Sequence, residues 1–304
     1  MCRSDFRFFL SILFIGIKSS HSNPSIIKGK QEGAKKLNEL EKLRQEIDIW
    51  DKKLVETFEE RMKVVLKILA YKKKHGLPIF HDQREEQVLQ KVAHHLQNKD
   101  FADEIQTLYR EIMGISRKLQ SKHLLPFNIV LIGFMGSGKS TIGRILSQQL
   151  AIELLDTDQL IEKKINMTIK DIFEKHGEGY FRQVERNMIK ALGQEEHKII
   201  ACGGGVVLNK ENIRDLKNKG KIILLEASAE TIYHRLQEDT TRPLLEGHMT
   251  KSHITSMLQD RNLYYQEAAD IVIHTDGKDT KEIGEEIIFK LLSLCSSLDI
   301  RERG

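Results

Sequence analysis

Gly133-Phe134-Met135-Gly136-Ser137-Gly138-Lys139-Ser140 is the stretch that decides the fold. A glycine, four residues and then Gly-Lys-Ser make the phosphate-binding P-loop pattern. The apolar run Phe127-Asn128-Ile129-Val130-Leu131-Ile132 before it reads as a buried strand. Thr141-Ile142-Gly143-Arg144-Ile145-Leu146 after it reads as the start of a helix. In that setting the backbone N–H groups of Gly136, Ser137, Gly138, Lys139, Ser140 and Thr141 can turn around phosphate oxygens. The helix N-terminus adds its partial positive charge. Lys139 would reach the β- and γ-phosphates, and the Ser140 hydroxyl would bind Mg²⁺. The expectation is a nucleoside triphosphate site.

Downstream, apolar runs at 129–132, 153–155, 199–201, 221–225 and 271–273 alternate with helical stretches. That pattern predicts an α/β P-loop domain with a parallel sheet and helices on both faces. Leu154-Leu155-Asp156-Thr157-Asp158 sets two carboxylates at a strand's C-terminal end, where open α/β sheets bind ligands. Phe181-Arg182-Gln183-Val184-Glu185 puts Arg182 and Glu185 on one helix face. Gly203-Gly204-Gly205 suits a ligand that approaches bare backbone. Arg235, Arg242-Pro243-Leu244-Leu245 and Arg261 add three late arginines.

Residues 126–304, with this combination of motifs, resemble shikimate kinase; a related kinase such as a gluconate kinase is the main rival. The resemblance implies ATP as cosubstrate and shikimate as phosphoryl acceptor. It also implies roles. Asp158 would hold shikimate hydroxyls and accept the proton of the attacking one. Arg182 and Arg261 would clamp the carboxylate, with backbone contact at Gly204, and Glu185 would orient Arg182. Asp156 and Ser140 would belong to the Mg²⁺ shell. Arg235 would stack on adenine, and Arg242 would sit in a lid over the phosphates, within 238–248.

Upstream the pattern is helical. From 35 to 75 there is no proline or glycine, and Leu40, Leu43, Ile47, Trp50, Leu54, Phe58, Met62, Val65 and Leu69 follow at steps of three or four. This predicts one amphipathic helix about 60 Å long, ended by Gly76 and Pro78. Two more helices are expected at 82–97 and 101–122. Three helices of this shape cannot close into a compact monomer, so the apolar stripe needs a second copy of the chain. Arg61 and Lys72 share a face about 16 Å apart. Arg44 lies about 25 Å from Arg61 and would reach the same ligand only from an antiparallel partner helix.

Leu43-Arg44-Gln45-Glu46-Ile47-Asp48, Asp51, Glu60-Arg61, Lys72, Pro78-Ile79-Phe80, Arg84-Glu85, Ser116 and Gln120 together resemble the all-helical chorismate mutases over 35–123. That resemblance implies an intertwined homodimer binding chorismate between helices. Arg61 and Arg84 would hold the carboxylates, joined by Arg44 from the second chain. Lys72 and Gln120 would donate to the ether oxygen, Glu85 would hold the hydroxyl, and Ser116 would support the site. His81 stands where the family often has Asp, with Asp82 beside it. A binding module of the same fold, sensing a metabolite or making a dimer without catalysis, is the alternative.

The composition agrees with two soluble domains: 304 residues, 40% hydrophobic and 30% charged, with a net charge of +4. That charge suits small anionic ligands and argues for neither nucleic acid nor a membrane. Cys2, Cys202 and Cys295 lack metal or redox spacing, which points to reduced thiols and a cytoplasmic protein. The apolar run at 8–17 is too short to span a membrane and resembles a weak signal peptide. Because ATP is a cytosolic substrate, a start set too early or a disordered tail is the expected reading, with residues 1–34 as tail and linker.

Overall fold

A computed structural model describes residues 24–75, 77, 80, 82–237 and 250–301. Pro78, Ile79, His81, Arg242 with its surrounding segment 238–249, and the apolar run at 8–17 lie outside the described residues. By internal contacts the chain divides into two units, Met1–Lys63 and Val64–Gly304, and the division falls inside the first helix.

That helix, α1, spans Pro24–His75. It begins well before the expected start at 35, so 24–34 is helix and not linker. Proline fits a first helical turn, where its missing N–H is not needed and its φ is already helical. In the first unit the apolar stripe of α1 faces outward: Trp50 is 66% exposed, and Leu43, Ile47 and Leu54 are likewise open. In the second unit, Val65 and Leu69 are buried. α2 (Asp82–His95) and α3 (Ala102–Leu124) follow. On α3 the buried side chains are Met113, Ser116, Gln120, Ser121 and Leu124.

Five parallel strands follow the order β2-β3-β1-β4-β5: β1 (Asn128–Ile132), β2 (Leu154–Asp156), β3 (Ile199–Ala201), β4 (Gly220–Glu226) and β5 (Ile271–His274). β1 is paired along both edges, with Ile129 against Ile199 on one side and Lys221 on the other. Side chains alternate across the sheet. Ile129, Leu131, Ile223 and Leu225 face α4 (Lys139–Leu150) and α10 (Thr280–Arg301). Leu69 and Leu124, from the ends of α1 and α3, join that same core. Val130, Ile132, Ile222 and Leu224 face the opposite layer. That layer is α6 (Ile169–Leu192), α7 (Lys210–Lys219) and α9 (Lys251–Ala268). α5 (Thr157–Ile165) and α8 (Ala229–Leu236) complete the element order. All five expected strands are present, with ends within a residue or so of the sequence reading. Among the described residues, no helix is long and apolar enough to cross a membrane.

Asn128, 1% exposed, ties the start of β1 to the loop before β3. Its amide donates to Glu195 O at 2.8 Å, and its Oδ1 accepts from Lys198 N at 2.9 Å. Asn128→Ala leaves two backbone groups unpaired. It should cost about 2–4 kcal/mol in urea unfolding, and a loss under about 1 kcal/mol would show that water replaces the side chain.

Candidate functional site

The P-loop leaves β1 through three glycines in the left-handed region: Gly133 at φ 143°, Gly136 at 76° and Gly138 at 97°. A side chain on Gly133 would overlap the Leu225 carbonyl, so the first position takes glycine alone. Lys139 Nζ donates to the carbonyls of Gly133 and Phe134 at 2.9 and 2.8 Å, which places the ammonium at the mouth of the loop. Thr141 is exposed on the first turn of α4, and Ser137 is buried. Arg235, on α8, donates to Gly136 O at 3.2 Å from the outer side of the loop.

Ser140 Oγ donates to Asp156 Oδ2 at 2.6 Å. The other oxygen of Asp156 caps α5, accepting from Asp158 N at 3.1 Å and Gln159 N at 3.4 Å. Asp156 is therefore a helix cap and a partner of the P-loop serine at once. Paired hydroxyl and carboxylate oxygens fit a hard divalent cation such as Mg²⁺, which takes its remaining ligands from phosphate and water.

Beside the P-loop a cavity of about 580 Å³ brings together Ser140, Asp156, Asp158, Arg182, Gly204 and Arg261. Five segments that lie apart in the sequence thus meet in one place. Arg182 rides on the second half of α6, after a break at Gly177 (φ 77°, ψ 169°) that separates the two halves. Arg182 is pinned by Glu185 at 2.9 Å and Glu178 at 2.9 and 3.1 Å. Phe181 packs at a tilt against Phe173 and lies under the guanidinium. The triple glycine is required by crowding. A Cβ on Gly203 would stand 2.7 Å from Asp158 Oδ1, and one on Gly205 would overlap the Arg182 guanidinium. Arg261 lies over the Phe134 ring and lines the cavity from α9. Tyr265, one turn further along α9, is buried there as well, and its hydroxyl donates to Gly204 O at 2.5 Å. In the sequence it closes the segment Arg261-Asn262-Leu263-Tyr264-Tyr265, which by itself assigns the tyrosine no role. Its signal was the four-residue step from Arg261, which puts both on one helix face.

The helical segment carries a second group of charges. In the first unit, Arg44 is exposed and pairs with Glu41 at 3.5 Å, and Arg61 is half-buried. In the second unit, burial holds Lys72 below the ordinary lysine value while the nearby Glu85 carboxylate pulls the other way. Glu85 is also bound by Arg117 of α3, whose guanidinium lies over the Phe80 ring. The sequence reading passed over Arg117, since a lone arginine next to Ser116 has no distinguishing spacing. Arg84 points to solvent and donates to Gln87 at 3.5 Å. Ser116 is buried, with its hydroxyl on Ile112 O at 2.7 Å. Gln120 is also buried; its Nε2 donates to Ser116 O at 3.2 Å, and its Oε1 has no hydrogen-bond partner.

Comparisons with known proteins fall on the same two segments. The family model for shikimate kinase matches residues 135–292, and that for chorismate mutase type II matches residues 43–121. A shikimate kinase of Thermodesulfovibrio yellowstonii is 44% identical over 161 residues, covering 53% of this chain and 92% of that protein. One of Caldicellulosiruptor bescii is 47% identical, covering 53% and 93%. Among solved structures, shikimate kinase from Acinetobacter baumannii in complex with shikimate matches with a TM-score of 0.55 at 34% identity, over 57% of this chain and 97% of that one.

Burial pushes the Glu185 carboxyl up from its usual range, and the Arg182 guanidinium opposes this without cancelling it. The folded chain then holds this proton more tightly than the unfolded chain does. The linked stabilisation is complete below the ordinary glutamate value of about 4.3 and is lost as pH rises through the folded value. The unfolding free energy of the parent chain, relative to Glu185→Gln, should therefore fall with rising pH in urea titrations. A difference that rises with pH would mean that Arg182 outweighs burial.

Proposed function

The chain belongs to the shikimate kinase family and carries a chorismate mutase domain ahead of the kinase, and on that premise we propose a bifunctional enzyme of aromatic biosynthesis. The kinase, at 126–304, transfers the γ-phosphoryl group of ATP to a hydroxyl of shikimate. The mutase, at 35–123, rearranges chorismate to prephenate. The observation that carries the kinase reading is the single cavity in which two arginines, a glycine run and Asp158 converge next to the P-loop serine.

Phosphoryl transfer asks the protein for alignment and charge neutralisation. Arg182 and Arg261 would form a two-sided clamp for the one carboxylate of shikimate, with Gly204 admitting close approach. Asp158 would hold the attacking hydroxyl and take its proton. Lys139 would neutralise charge on the transferring group, as would Arg242 by the resemblance. Mg²⁺, when bound by Ser140 and Asp156, would offset charge on the phosphate oxygens. Arg235 would lie against the adenine.

The mutase reaction is intramolecular, so the site has only to hold a compact conformer and stabilise negative charge on the ether oxygen. Lys72 and Gln120 would donate there. Arg61 and Arg84 would take the carboxylates, with Arg44 from a second copy. The exposed apolar stripe of α1 supports that homodimer. A second reading has its own support: Arg117 occupies Glu85, the carboxylate expected to bind the substrate hydroxyl. In that case the helical domain would bind a metabolite, or only dimerise, without turnover. The cytoplasm is the compartment that fits an ATP-using kinase whose three cysteines have neither metal nor redox spacing.

Three measurements test these assignments. Asp158→Asn should lower kcat for shikimate-dependent ADP release by about 10²–10⁴-fold, with KM for ATP little changed; a loss under about threefold would remove Asp158 from the chemistry. Chorismate consumption should vanish in Lys72→Ala while kinase activity persists. Since the protonated amine is the donor and burial lowers its pKa, parent turnover should decline before pH reaches the ordinary lysine value of about 10.4. Binding of chorismate with no turnover in the parent chain would select the binding-module reading. Light scattering should give a mass of two chains, and a single-chain mass at micromolar concentration would refute the dimer.

A further inference from the structure

We propose that Tyr265 is a positioning residue for the kinase: its hydroxyl sets the orientation of the Gly204–Gly205 peptide and seats Arg261 beside it. Backbone amide and guanidinium then meet the substrate carboxylate as one unit. The inference rests on the shikimate kinase reading of this cavity.

The backbone bonds of the glycine run lead to it. Gly203 N donates to Thr157 Oγ1 at 2.9 Å, and Gly203 O accepts from Val206 N at 3.1 Å. Gly205 O accepts from Leu208 N at 3.1 Å. Gly204 O is held by the Tyr265 hydroxyl, at 2.5 Å. That carbonyl shares its peptide plane with the Gly205 N–H, and the peptide is trans. Anchoring the carbonyl therefore fixes where the amide points, at a place where glycine offers no side chain to do so. Both glycines line the cavity that holds Arg182 and Arg261.

The same hydroxyl reaches the second half of the clamp. Arg261 precedes Tyr265 by one helical turn, and its guanidinium lies beside the phenol oxygen. Arg261 Nη1 is buried without a hydrogen-bond partner, so the guanidinium retains a donor for an incoming carboxylate. Tyr265 itself is 3% exposed and its ring is part of the apolar layer beneath the sheet. Burial pushes its hydroxyl up to about 12, so it remains a hydrogen-bond donor at every pH where the kinase would work. The ring packs, and the hydroxyl positions. Tyr265→Phe separates the two because it keeps the ring and removes only the donor.

The test compares the full chain with Tyr265→Phe in initial-rate assays using shikimate and its methyl ester, which lacks the charge the clamp would hold. KM for shikimate should rise about five- to tenfold, the scale of one hydrogen bond, with kcat and KM for ATP within about twofold. The preference for shikimate over the ester should shrink by a similar factor. Titration with ATP alone on the same preparations counts folded sites, so partial unfolding does not imitate the result. A KM for shikimate unchanged within about twofold, or an equal loss with acid and ester, overturns the inference while leaving the kinase reading intact. A parent chain that releases no ADP with shikimate overturns the reading itself and this inference with it.

Discussion

β1 must be buried on both faces and paired on both edges, and the rest of the second unit follows from that constraint. A strand in this position has no edge to offer solvent, so its residues after Asn128 are apolar and its neighbours are parallel. Parallel neighbours need crossover connections, and the crossovers supply the two helical layers. β1 is also where the chain order reverses across the sheet, since β3 and β2 lie to one side and β4 and β5 to the other. The crevice at that reversal is where an open α/β sheet receives its ligand. Here the P-loop leaves β1 on one side of the crevice, and Asp156 and the glycine run leave β2 and β3 on the other.

The crevice is crowded with charge at short range. Glu185, 2% exposed, is a carboxyl that burial pushes up from its usual range, and Arg182 keeps it in place. Glu178 takes the other side of the same guanidinium. Two carboxylates, Glu185 and Glu178, thus hold one arginine, and the Asp158 carboxylate also acts on Glu185. The arrangement fits only because the neighbouring backbone at 203–205 has no side chains to displace them. A rigid arginine, oriented before its ligand arrives, loses less freedom on binding than an untethered one.

The helical segment obeys a different rule. α1 is long, and its outer portion buries little of its apolar stripe within one chain. A helix with that surface depends on packing against something else, because intrinsic propensity contributes little to its stability in water. Where α1 and α3 end, Leu69 and Leu124 enter the same core as α4 and α10. The last turns of α1 and α3 therefore share a hydrophobic core with the P-loop helix.

The sequence by itself determined the P-loop, the five strands and their parallel character, and the spans of α2 and α3 to within a few residues. Those features depend on local periodicity and on glycine's freedom at positive φ, both of which are legible in a single chain. Through a family resemblance it also pointed to Asp158, Arg182, Gly204 and Arg261, which line one cavity. Only the tertiary structure showed that Asp156 both caps α5 and bonds Ser140, that α1 starts at Pro24, and that Arg117 engages Glu85. Tyr265 belongs to the same class: its value comes from a carbonyl 61 positions away in the chain. Such partners are chosen by packing between distant segments, and no local pattern encodes which of several buried polar groups will meet.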